Sequence, residues 1–199
     1  MELFTSLENS GLATWVREGS ALWAFDVILI AHALGMAALV GLSAAIYLRV
    51  LGFAPSLPLA PMEGFYPLMW AGFYVNLVSG VLLFIGYPVR AVVAPGFYVK
   101  MGGVALSIVF LRRLRRQVFG NPAYLDTRPV PTNGKILAGT ALFIWLVTIT
   151  AGRLMGYSDV PMIQPRTYVA TSIITVVLLV GGLIALRLWG GDKQLRQGV

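Results

Sequence analysis

Cysteine is absent from the 199 residues, charged side chains make up only 12% of them, and there is a single histidine. Without cysteine there is no disulfide, no iron–sulfur cluster, no c-type haem attachment and no thiol nucleophile. The lack of charge is more telling. A soluble domain carries roughly 25% charged residues, and a chain that is 58% hydrophobic with a mean hydropathy of +0.80 has too little polar surface to cover a water-facing globule. This is the composition of an integral membrane protein. Acidic residues are few as well, eight against fifteen Lys and Arg, for a net charge of +7. The basic residues gather at the ends of apolar runs, which reads as membrane topology and contact with anionic headgroups rather than nucleic-acid binding. The first ten residues hold Glu2 and Glu8 but no Lys or Arg, so the basic n-region of a signal peptide is not expected there.

Catalytic patterns are also missing. The sequence has no Gly-rich phosphate loop, no His-Glu-x-x-His, no paired carboxylates within a span and no Ser-x-x-Lys.

What is present is a series of long apolar runs. A bilayer core takes about 20 apolar residues in a helix, because a helix satisfies its own backbone polar groups in lipid. Five runs qualify, at about residues 22–48, 65–87, 97–111, 136–154 and 168–189. The third is the weakest, since Lys100 and Arg112 crowd it; it spans if Lys100 sits at one interface and Arg112 snorkels to the other. A four-span chain with that segment re-entrant is the alternative. The expected fold is therefore all-α, a polytopic bundle of five transmembrane helices forming a single membrane-embedded domain over residues 1–199. Five spans do not divide into matching inverted halves, which argues against a transporter.

With five spans the termini face opposite sides. One side collects Arg49, Arg112, Arg113, Arg115, Arg116, Arg128, Lys135, Arg187, Lys193 and Arg196; the other has Arg17, Arg90, Lys100, Arg153 and Arg166. The positive-inside rule then puts the N-terminus outside and the C-terminus in the cytoplasm of a bacterial inner membrane.

Ahead of the first span, Leu3, Phe4, Leu7, Trp15 and Val16 alternate with polar residues, so residues 1–20 read either as an amphipathic segment on the outer surface or as a partly ordered tail. Pro55, Pro58 and Pro61 stiffen an inner loop, and Pro88 and Pro95 bracket an outer one. Trp15, Trp23 and Trp189 fall where an aromatic belt would lie.

Helices in lipid associate through close backbone approach and a few polar contacts. Small residues recur at helical spacing at Ala37, Gly41 and Ala45 in the first span, and at Gly72 and Gly80 around Asn76 in the second. Gly152 and Gly156 end the fourth span, and Thr167, Thr171 and Thr175 share a face of the fifth. These stripes predict a compact bundle, and any stripe left over predicts a partner subunit or a second copy.

Ionisable residues inside a membrane are expensive and mark candidate sites. His32 lies ten residues into the first span, about 15 Å at 1.5 Å per residue and so near the midplane. Met36 follows one turn later on the same face. Three readings stand: a structural, hydrogen-bonded histidine; a haem b axial ligand; or, with Met36, a copper or proton-relay site. No second histidine exists for bis-histidine haem within one chain. Asp26 is turned about 240° from His32 and is expected to pair with Lys100 or Arg153 at the outer helix ends. Arg112, Arg113, Arg115 and Arg116 form a cytoplasmic stop that contacts anionic lipid.

Trp23-Ala24-Phe25-Asp26, His32-Ala33-Leu34-Gly35 and Tyr47-Leu48-Arg49-Val50-Leu51-Gly52 in the first span, with Gly80-Val81-Leu82-Leu83-Phe84 and Phe97-Tyr98-Val99-Lys100 beyond it, resemble a group of small bacterial inner-membrane proteins. That group is loosely similar to the CopD-like copper-resistance membrane domain. The resemblance covers about the first 110 residues. It implies a first-span histidine, at the position of His32, and copper handling or a haem-like role. The chain departs from it in having a single histidine.

The sequence thus favours a non-catalytic integral membrane subunit that anchors or assembles a larger complex, an electron-transfer complex being the class envisaged, with no cofactor of its own. A haem b carrier using His32 and a copper-handling protein using His32 and Met36 are the alternatives.

Overall fold

The computed structural model describes residues 1–19, 23–125 and 130–155, and among them every regular element is helical. Two short helices, α1 (Glu2–Glu8) and α2 (Gly11–Glu18), precede the long α3 (Ala24–Leu51). A 3₁₀ turn (Ala60–Gly64) leads into α4 (Phe65–Gly86), then a short α5 (Pro88–Val93) and α6 (Pro95–Leu114). A π turn (Arg115–Phe119) extends α6, and α7 (Thr132–Met155) closes the described chain. Three helical stretches, Ala24–Leu51, Ala60–Gly86 and Thr132–Met155, are long and apolar enough to cross a membrane. The expected first, second and fourth spans coincide with them. The third expected span is present as the helix α6, but Lys100 and the two arginines of its last turn keep it out of that set. The fifth expected span, at about residues 168–189, lies outside the described residues, as do Gly156 and the threonine stripe.

The helix ends follow local chemistry. Pro88 and Pro95 open α5 and α6 at first-turn positions, where the missing N–H costs nothing, so the expected outer loop is itself helical. Gly52 ends α3 with φ +104°, a left-handed cap that suits glycine. Ser10 caps α2 by accepting the Ala13 N–H at 3.2 Å.

The long helices run alternately up and down. α3 packs on both α4 and α7, and α7 also packs on α6, giving the order α4–α3–α7–α6. α4 and α6 then meet across a seam made chiefly by side chains, including a stacked Phe84–Phe97 pair with ring centroids 5.5 Å apart. The apolar core occupies the half of the bundle remote from the N-terminus, where Leu39, Ile46 and Tyr47 of α3 meet Leu111 and Leu114 of α6 and Ala138, Ala141 and Trp145 of α7.

In the other half, packing depends on glycine. A Cβ on Gly35 would stand 2.7 Å from the Gly72 carbonyl oxygen, and one on Gly72 would stand 2.8 Å from that of Gly35. The α3 and α4 backbones therefore touch at this crossing. Between α6 and α7 the same device recurs, with Thr148 filling the space beside Gly103.

Residues 1–19 fold as a helical pair over the α4–α5 corner. Ala13 and Val16 are buried, Phe4 meets Phe84 edge-on at 6.3 Å, and the Arg17 guanidinium donates to the carbonyls of Glu8 (2.8 Å) and Gly86 (2.9 Å). The segment is helical, and its apolar side lies against the bundle.

Candidate functional site: a polar centre between three helices

The only histidine stands one turn before the Gly35–Gly72 crossing, and the closeness of the backbones there decides its surroundings. The ring of His32 reaches α4 beside Gly80, where an added Cβ would come 3.1 Å from His32 Cε1. His32 Nδ1 lies 3.1 Å from the Asn76 carbonyl oxygen and 3.1 Å from Ser79 Oγ. A carbonyl oxygen only accepts, and the Ser79 hydroxyl donates to the Val75 carbonyl at 2.6 Å, so these two partners suit an imidazole proton on Nδ1; Asn76 Nδ2, a donor, also lies 3.3 Å from that nitrogen. Asn76 Nδ2 donates in return to the His32 carbonyl at 2.8 Å.

With Nδ1 committed to α4, Nε2 is left with its lone pair. Lys100 of α6 fills that position, its Nζ donating to Nε2 across 3.4 Å. The lysine stem lies along α7, where Gly152 leaves room: a Cβ there would meet Lys100 Cδ at 3.2 Å. One histidine thus ties α3 to α4 through one nitrogen and to α6 through the other, with α7 supporting the lysine.

The sequence-nominated residues fall out as follows. The Asn76 and Gly80 positions face His32, and Gly72 faces Gly35. Lys100 joins His32. Asp26 lies two turns before His32 in the first turn of α3 and makes no ion pair among the described residues. Arg153 stands in the last turn of α7. Met36 packs against the apolar core. No group of three or more metal-ligating His, Asp or Glu side chains occurs among the described residues. Ser79 and the Lys100–His32 contact escaped sequence reasoning. The signal for Ser79 was its place three residues after Asn76, on the same helical face.

At the opposite end of the bundle lies a cavity of about 380 Å³ between α4 and α6, lined by Glu63, Tyr66 and Trp70 on one side and Arg112, Arg115 and Arg116 on the other. Arg113, the fourth member of the basic cluster, takes no part in the lining.

Compared with known proteins, the chain matches no family model, no curated protein and no solved structure.

Proposed function

We propose that this protein is a non-catalytic integral subunit of the bacterial inner membrane, multi-pass with its N-terminus outside, that anchors or assembles a larger membrane complex, an electron-transfer one being the class we favour. The observation that carries the reading is the division between the two sides of α3. Its inward side spends both ring nitrogens of His32 and the close approach at Gly35 on the chain's own helices. Its other side leaves Ala37 and Gly41 exposed, with nothing among the described residues within 4 Å of a Cβ placed on Gly41. Small exposed residues at helical spacing let a second helix come close in lipid, where packing rather than hydrophobicity drives association. Purification from the native membrane in mild detergent tests this. A stoichiometric partner is expected, lost in Gly41→Leu while the subunit itself stays folded. Recovery of the subunit alone under conditions that preserve neighbouring complexes overturns the reading.

A second reading has one observation in its favour. An imidazole whose Nδ1–H is held by a backbone carbonyl presents Nε2 in the orientation that metal-binding histidines use. Haem b ligated by His32 Nε2, or copper held by His32 with Met36, would require Lys100 to swing aside. The oxidised and dithionite-reduced absorption spectra of the native preparation, together with elemental analysis, decide this. A Soret band lost in His32→Ala supports the haem carrier, bound copper lost in Met36→Leu supports copper handling, and a colourless, metal-free preparation leaves the anchoring role.

A further inference from the structure

The cavity at the α4–α6 seam is remote from His32 and has no part in the anchoring role; the inference drawn from it needs only that the chain sits in a bilayer. We infer that this cavity is a saturable site for the phosphodiester headgroup of one anionic phospholipid, distinct from the diffuse attraction of a basic surface.

Five features carry it. The cavity holds three guanidinium groups against one carboxylate, Glu63, leaving a net of two positive charges facing about 380 Å³ of space, a volume within the range of small-ligand pockets. The Glu63–Arg115 pair at 3.2 Å is half exposed on both sides, and such a pair holds its partners weakly. Two of the guanidinium groups are oriented by aromatic faces: Arg112 lies 5.0 Å from the Trp70 ring centroid and Arg115 lies 4.9 Å from that of Tyr66. The ring face holds the guanidinium carbon while N–H groups stay available, and a guanidinium so placed suits phosphate binding.

The π turn at Arg115–Phe119 supplies the geometry. Its wider ring, closed by the Gly120 N–H on the Arg115 carbonyl at 3.3 Å, ends α6 so that Arg112, Arg115, Arg116, Phe119 and Gly120 all border one cavity. π turns of this kind are frequent at functional sites.

The neighbouring surface identifies the source of the phosphate as lipid rather than a free anion. On the bundle side of the cavity the α4 face that carries Trp70 continues through Tyr74 and Leu77, both exposed. Acyl chains attached to a phosphate in the cavity would lie along this flank, and Trp70, which borders the cavity, is a ring of the kind that favours the headgroup interface.

The test uses the full chain in phosphatidylcholine nanodiscs with increasing phosphatidylglycerol, the retained lipids being counted by native mass spectrometry after release. One phosphatidylglycerol is expected to stay bound at low mole fraction. Arg116→Gln and Arg112→Gln are each expected to lower its retention about tenfold, as the loss of a charge-assisted contact would. Arg113→Gln should change it less than twofold. All three side chains are exposed, and an unchanged helical circular dichroism spectrum and thermal midpoint confirm that each variant is folded. Equal losses in Arg113→Gln and Arg116→Gln would reduce the site to diffuse charge and overturn the inference. So would equal retention of phosphatidylcholine, or displacement of the lipid by glycerol 3-phosphate at matching concentration, which would make the cavity a site for a free phosphate.

Discussion

Gly35 and Gly72 are in backbone contact: each occupies a position from which a side chain would strike the other's carbonyl oxygen, at 2.7 and 2.8 Å. The separation of α3 and α4 is set by this pair, and the reach of His32 to Asn76 and Ser79 depends on it.

Gly35→Ala and Gly72→Ala are therefore expected to push α3 and α4 apart and to cost about 1–3 kcal/mol each, the range for overpacking a close contact. Thermal unfolding in detergent measures this. Gly41→Ala, in open space on the same helix, should stay within about 0.5 kcal/mol of the parent. Equal effects at Gly35 and Gly41 would refute the crossing.

α6 offers a sharper comparison between neighbours in sequence. Gly103 faces Thr148 of α7, whereas a Cβ on Gly102 meets nothing among the described residues within 4 Å. Gly103→Ala should lower the thermal midpoint clearly and Gly102→Ala hardly at all. The reverse ranking would mean that α6 is rotated by about 100° from the orientation described.

The polar centre can be apportioned by a double-mutant cycle. His32→Leu and Lys100→Met each break the Nε2 contact, and their coupling is expected near 0.6 kcal/mol, the average for a polar contact between helices in a membrane protein. Asn76→Leu should also couple to His32→Leu, since Asn76 Nδ2 lies 3.3 Å from His32 Nδ1 in addition to bonding the His32 carbonyl. Additive effects in both cycles would show that the contacts carry no stability.

Ser107 is buried with no hydrogen-bond partner for its hydroxyl among the described residues. Removing a buried polar group that makes no bond is close to neutral or stabilising, so Ser107→Ala should match or exceed the parent in thermal stability. A loss above about 1 kcal/mol would reveal a bound water or partner atom there.

At the N-terminus, Arg17→Gln removes the donor to the carbonyls of Glu8 and Gly86. Limited proteolysis should then cut within residues 1–19 several-fold faster while the thermal midpoint of the bundle stays put, because local opening and global unfolding are separate equilibria.

The positions of the helices were legible in the sequence, and the contacts between them only in part. Long apolar runs announce helices wherever a backbone must satisfy itself, so α3, α4 and α7 fall where expected and α6 appears with the weakness that Lys100 and Arg112 foretold. The stripe of Gly72, Asn76 and Gly80 was readable as a contact face because small and polar residues stand out on an apolar helix. Its partner was not. α3 and α4 are apolar all round, so periodicity does not tell the inward side from the outward one, and Gly35 carried no more signal than Gly41. Likewise the meeting of Lys100 with His32 depends on the relative height and rotation of two helices 68 residues apart in the chain. Neither quantity is written in local spacing. Lys100 read alone suggested an interface anchor, and it is instead drawn inward by a histidine lone pair.

The seam between α4 and α6 has a mechanical meaning. Along α4–α3–α7–α6 each helix packs on the next, but the first and last are fastened to one another by separable fittings: the Phe84–Phe97 stack at one end and the Arg112–Trp70 and Arg115–Tyr66 contacts at the other, while His32–Lys100 ties α3 to α6 behind the seam. The bundle is built like a bracelet with a clasp: this is the line along which two long helices meet through side chains rather than through close backbone packing.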